Sequence, residues 1–194
     1  GKALFAVSKS VDAFDYRNTD RDTLRASAKR ADALLEDVLS KKAHASAQTI
    51  ACIGHAHIDV AWLWPLRETV RKCSRTFSNV LKLMDEYPDF KFAQSQPQLY
   101  EYTKERYPDL YERIKEKVKA GQWEPVGCMW VEADCNVTSG ESLVRQILFG
   151  TRFFKEEFDY DVDSLWLPDV FGYAAALPQI LIKSGMKYFT RSEE

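Results

Sequence analysis

Short apolar runs alternate with longer stretches that carry one apolar stripe at helical spacing, and that alternation restricts the fold of this chain more than any single residue does. The runs are Gln48-Thr49-Ile50-Ala51-Cys52-Ile53, Lys91-Phe92-Ala93-Gln94, Gln122-Trp123-Glu124-Pro125-Val126, Ser164-Leu165-Trp166-Leu167 and Tyr188-Phe189-Thr190-Arg191. Each reads as a short strand, the first of them buried. Between them, Val70, Cys73, Phe77, Val80, Leu81 and Met84 mark one helical face, starting near Pro65 and ending at Tyr87-Pro88. Further helices are predicted through Arg106, from Pro108 to a stop at Gly121, along Leu143 to Phe158, and over Ala175 to Ser184. Strand, helix and strand in succession imply a parallel sheet with crossover helices, as in an α/β barrel or an open α/β sheet.

Upstream, residues 1–17 show no clear period. A helix is predicted from Thr19, which can cap with Asp22 three residues on, and its stripe is Leu24, Ala28, Ala31, Leu35 and Val38. Residues 41–48 then read as a polar linker in which His44 is solvated. The expected division is a helical segment over 1–48 and an α/β part over 49–194.

Unusual polar residues stand at the ends of successive strands: His55, His57 and Asp59, then Gln96 and Gln98, then Glu132 and Asp134, then Asp169. In an extended segment side chains two apart share a side, so His55, His57 and Asp59 converge. Parallel sheets bind ligands at this end of their strands. Imidazole and carboxylate are ordinary zinc donors, and a zinc site needs three or four of them. His57 and Asp59 supply two, and Asp169 or Asp134 is placed to supply a third. The flat faces of Trp62, Trp64 and Trp130 suit a sugar ring, so the residues by themselves point to a metal-assisted hydrolase acting on something polar and cyclic.

Plainer readings apply elsewhere. Trp123 and Trp166 belong to the core, Glu124 is a strand-edge carboxylate, and Tyr100, Tyr102, Tyr107 and Tyr111 cover helix surfaces. Cys128 and Cys135 lack the spacing of a metal pair, and Asp169 after Pro168 would equally cap a helix. Lys and Arg number 27 against 29 Asp and Glu, which provides no basic face for nucleic acid or an anionic membrane. No apolar run is long enough to span a bilayer. Cys52 and Cys73 are expected as buried free thiols in a reducing compartment, against which stands only the tripeptide Asn136-Val137-Thr138. Gly1 in place of methionine suggests a piece of something longer.

Three ordered segments carry a resemblance. His57-Ile58-Asp59-Val60-Ala61-Trp62 is similar to the His-x-Asp-x-x-Trp motif that opens the catalytic domain of glycoside hydrolase family 38, the class II α-mannosidases. The segment from Gly127 to Ser142, and Trp166-Leu167-Pro168-Asp169-Val170-Phe171-Gly172, resemble later segments of the same family. The wording is that of its cytosolic or vacuolar branch, and the resemblance runs from about Ile50 to the end of the chain.

The resemblance implies a seven-stranded α/β barrel, partly covered by this chain, with a catalytic zinc or another divalent metal. It implies hydrolysis of terminal α-linked mannose from oligosaccharides, with retention through a covalent intermediate, by a cytoplasmic or vacuolar enzyme that neither enters membranes nor binds nucleic acid and that oligomerises at full length. By the same resemblance His57, Asp59 and Asp169 are metal ligands, Asp169 is also the nucleophile, and Trp62 packs on the sugar. Phe171, Glu132, Asp134 and Arg191 contact substrate or, for Arg191, hold the nucleophile ionised; His55 is structural. The family's acid/base aspartate and its remaining ligand, a histidine, come later in the chain, and no histidine follows His57 here, so this chain is expected to be an inactive fragment. The alternatives are a zinc-dependent polysaccharide deacetylase, which attacks with metal-activated water, and a non-catalytic carbohydrate-binding fragment.

Overall fold

The computed structural model describes residues 1–42 and 44–191, which fall into two compact units, Gly1–Ile50 and Ala51–Glu194.

In the first unit α1 (Lys2–Ala13) packs along α2 (Arg21–Leu39). The contact face of α1 is Ala6, Ser10 and Ala13, small residues at helical spacing that a hydrophobicity period does not register. That is why a helix stands where no pattern was legible. On α2 the inward row is Leu24, Ser27, Ala31, Leu35 and Val38; Ser27 replaces the expected Ala28, which is exposed. Ser27 turns inward because its Oγ donates to the Leu24 carbonyl and accepts from the Asp15 amide. The cap is Asp20, whose carboxylate accepts from the Thr23 amide at 2.8 Å, one residue later than the predicted Thr19.

The second unit is α/β, and among the described residues all its strand pairing is parallel. Strands β1 (Gly54–His55), β2 (Phe92–Gln94) and β3 (Trp123–Pro125) form one sheet in that order. Strands β4 (Ser164–Leu167) and β5 (Tyr188–Arg191) form a second. The crossover helices are α3 (Leu66–Glu86), α4 (Pro97–Arg106), α5 (Pro108–Lys119), α6 (Gly140–Phe158) and α7 (Leu177–Lys183). Mixed α/β architecture with parallel strands is as expected, but these five strands lie in two sheets and do not close a seven-stranded barrel.

The first strand is much shorter than its sequence suggests. Residues 48–53 are exposed, with Ile50 at 82%, and only Gly54 and His55 pair with β2. Cys52 is consequently exposed rather than buried, whereas Cys73, Cys128 and Cys135 are free and buried. Burial pushes the Cys73 and Cys128 thiols up to about 12, which keeps both protonated and unreactive.

An aromatic cluster fills the space between β2, β3 and the helices. Tyr100 and Tyr111, expected at helix surfaces, lie within it. Tyr100 is buried because its hydroxyl is satisfied there: it donates to the Gln94 carbonyl and accepts from the Trp123 indole. Its ring meets Phe154 and Phe158 edge-on, while Tyr111 donates to Glu157. Trp123 is core as predicted, and Glu124 is an exposed carboxylate bonded to the Tyr160 hydroxyl.

Two glycines set how closely the loop after β3 approaches its neighbours. Gly127 has φ +75° against Trp166, and a Cβ on Gly150 of α6 would overlap the Cys128 carbonyl. This close approach lets the Trp130 and Val131 amides bond to Gln146, fixing the loop on α6.

Candidate active site

The segment after β1 crosses the ends of the strands and is held by buried polar side chains. The Gln96 amide donates to the Ile58 carbonyl at 2.9 Å, and the Thr69 hydroxyl of α3 donates to the Asp59 carbonyl at 2.9 Å. Trp64 in turn donates to Thr69, so this indole braces the turn and faces Lys72 rather than an open surface.

So held, His57 and Asp59 project together, and the loop after β4 brings Asp169 to them. Nε2 of His57 lies 3.1 Å from Asp59 Oδ1 and 3.4 Å from Asp169 Oδ2. The three donors form a group compact enough for one metal ion. The two separations from Nε2 are close to the ~3.3 Å edge of a tetrahedron built on zinc bonds of about 2.0–2.1 Å. The donor chemistry fits as well, with one neutral imidazole nitrogen and two carboxylates. Asp169 is the open side of the group, with 75% of its side chain exposed against 24% for His57.

The opposite nitrogen of His57 points inward. Its Nδ1 lies 3.0 Å from Glu132 Oε2, and only 4% of the Glu132 side chain is exposed. The Glu132 carboxylate is the main cause that lifts the His57 pKa from 6.5 to about 9 in the metal-free protein; burial opposes it and Asp59 adds to it.

His55 is close to His57 and Glu132, yet both of its ring nitrogens are engaged. One bonds the Ala93 carbonyl at 2.9 Å, which makes it the protonated one, and the other accepts from the Trp166 indole at 3.3 Å. With no lone pair to spare, His55 serves the fold. Trp166 correspondingly sits beside the site, only partly buried.

The remaining candidates are distributed around this centre. Trp62 and Phe171 stack with centroids 6.4 Å apart, and at 56% and 81% exposure they form an aromatic surface on the loops that carry Asp59 and Asp169. Asp134 is turned into its own loop, where its carboxylate accepts the Asn136 amide and its carbonyl accepts the Thr138 hydroxyl. The Arg191 guanidinium lies over the Tyr173 ring, and Tyr173 donates to the Leu167 carbonyl at the end of β4. Gln98 accepts from the Trp130 indole, and Trp130 lines a separate open pocket with Arg145 and Phe149. Arg67 lines an open groove with Tyr102 and Arg106. Sequence reasoning missed Thr69 and Ser95, whose hydroxyls hold Asp59 and Glu132. A threonine and a serine on otherwise ordinary segments carry no distinguishing pattern.

The family described as "Glycosyl hydrolases family 38 N-terminal domain" matches residues 47–193. The chain is 54% identical over 137 residues to alpha-mannosidase G of Dictyostelium discoideum, covering 71% of this chain and 13% of that protein. It is 53% identical over 144 residues to alpha-mannosidase 2C1 of Homo sapiens, covering 74% of this chain and 14% of that protein. Among solved structures, an alpha-mannosidase from Enterococcus faecalis V583 superposes with a TM-score of 0.66 at 26% identity, over 72% of this chain and 16% of the other. The chain thus spans about one-seventh of the length of the curated relatives it matches. No described helix is long and apolar enough to cross a membrane. A family match over most of the sequence, relatives that are themselves α-mannosidases and a donor group built from the matched segments lead to one assignment: the chain belongs to glycosyl hydrolase family 38, within its N-terminal domain.

Proposed function

We propose that this chain contributes the nucleophile and three metal donors of an enzyme that removes terminal α-linked mannose from oligosaccharides with retention of configuration. The supporting observation is the convergence of His57, Asp59 and Asp169 beside the exposed Trp62–Phe171 surface. Residues 49–194 are then part of a seven-stranded catalytic barrel and residues 1–48 a helical segment upstream of it. The buried free thiols support a reducing compartment.

In this reading the aromatic surface takes an apolar face of the sugar ring and fixes its orientation. Zinc held by His57, Asp59 and Asp169 would polarise the sugar hydroxyls and keep Asp169 ionised. A carboxylate oxygen of Asp169 bonds to the anomeric carbon as the glycosidic C–O bond breaks. The leaving oxygen takes a proton from a second carboxyl group about 5–5.5 Å away, and water then releases mannose by attack at the same carbon. That acid/base, like the remaining metal ligand, is supplied from outside this chain, which by itself is inactive.

The test is covalent trapping in the full-length protein. A ring-fluorinated mannosyl fluoride, which loads a retaining nucleophile with loss of the anomeric fluoride and leaves it slowly, is expected to add the mass of one fluorinated mannosyl group to the peptide carrying Asp169. Asp169→Ala should abolish the label and lower kcat by roughly a thousandfold or more. An unlabelled Asp169 together with acetate release from an N-acetylated polysaccharide would replace this reading with the deacetylase.

A further inference from the structure

Behind His57 a line of contacts leads away from the metal donors and into the protein. Nδ1 of His57 and Oε2 of Glu132 face each other at 3.0 Å, and both are buried without a hydrogen-bond partner. The second Glu132 oxygen accepts from the Ser95 hydroxyl at 2.6 Å. The Glu132 amide donates to the Gln96 side chain at 3.2 Å, and Gln96 also holds the Ile58 carbonyl next to His57. Ser95 and Gln96 are buried, and Gln96 takes the unusual backbone φ of +66° that aims its side chain between the two loops.

An imidazole offers two nitrogens, and a metal takes the one without the proton. A carboxylate at the far nitrogen keeps the N–H there, fixes the ring and strengthens the free nitrogen as a donor. Glu132 is placed for this and for little else: Oε1 is taken by the Ser95 hydroxyl, and Oε2 is buried with no hydrogen bond and faces Nδ1 of His57. We infer that Glu132, held by Ser95 and Gln96, is a positioning residue for the metal centre, turning Nε2 of His57 toward Asp59 and Asp169. This assigns Glu132 a role other than substrate contact, and it rests on the metal-dependent reading above.

The experiment is Co2+ binding to the full-length protein, followed by its visible absorption and by competition for the dissociation constant. Glu132→Gln keeps the shape and removes the charge; with the proton that His57 gives up accounted for from the pH dependence, it is expected to weaken the pH-independent binding by roughly 10- to 100-fold. Ser95→Ala, which only frees the carboxylate from its hydroxyl, should weaken it by a smaller factor. Band position and shape should match the unsubstituted protein in both, because the donors themselves remain. Unchanged dissociation constants would overturn the inference. So would a shifted or lost band in Glu132→Gln, which would make Glu132 a ligand. Thermal melting checks folding, and if Glu132→Gln does not fold, Ser95→Ala carries the test alone. Should the unsubstituted protein bind no Co2+, the metal reading fails first and takes this inference with it. Binding by the unsubstituted protein with no effect of either substitution removes the inference alone.

Discussion

His57 is the residue on which the charge balance of the site turns. Its folded pKa, about 9, lies above the ordinary 6.5, so in the metal-free protein its protonation stabilises the fold fully below about pH 6.5. That contribution is lost as pH rises through about 9. The expected outcome is a melting temperature of the metal-free protein that falls between these limits, and falls less in His57→Gln. A metal must displace the same proton, so its apparent affinity should climb with pH, about tenfold per unit, until about pH 9. Calorimetry in two buffers of different ionisation enthalpy should accordingly register release of about one proton per metal bound below that pH. Equal heats in the two buffers would show that His57 binds already neutral. At this scale type and spacing picked out His57 and Asp59 and left the third carboxylate between Asp169 and Asp134; the structure groups Asp169 with the first two. Ser95 and Thr69 were not legible, because a buried hydroxyl acquires its meaning only from the partner it meets across the fold.

At the level of elements, α6 is the one whose seating decides the shape of the site. Its Gln146 holds the Trp130 and Val131 amides, and those residues lead directly into Glu132. Gly150, one turn further on, gives the loop backbone room to lie against the helix. Adding a methyl group there forces α6 and the loop apart. Gly150→Ala should therefore destabilise the domain by about 1–3 kcal/mol, seen as a lower denaturation midpoint, even though alanine is the better helix former. An unchanged or higher midpoint would mean that the contact yields freely. Helices α3 to α7 and strands β2 to β4 follow the apolar patterns in outline, each burying part of its face, although Val144 and Leu148 of α6 are exposed; β5 pairs with β4 but is exposed along its length. Strand β1 departs from its pattern: Ile50 and Ile53 read as core but are exposed, because hydrogen bonding to β2 begins only at Gly54. Helix α1 departs in the opposite sense, its buried face being made of alanine and serine.

For the whole molecule, the chain is two compact units joined through residues 41–53, which are exposed where described and contain Lys41 and Lys42. Limited trypsin treatment of this chain should cut first in that stretch and leave the α/β unit as the resistant product. Early cleavage within α3 to α6 instead would show that the unit is less cohesive than its aromatic core indicates. The general α/β class was readable from alternation alone. Barrel closure was not, since a run of apolar residues fixes a strand but not which sheet it joins.

His55 and Trp166, in contact across the site, stand 111 residues apart in sequence, and His57 and Asp169 flank the same junction. Any cation gripping both sides would act as a cross-link, closing a loop that spans most of the second unit and lowering the entropy its opened form gains. On the proposed reading, stripping the metal from the full-length protein with a chelator should therefore slacken the end of β4 as well as stop turnover. Resistance to unfolding and catalytic competence would then be lost together, as two consequences of one broken tether.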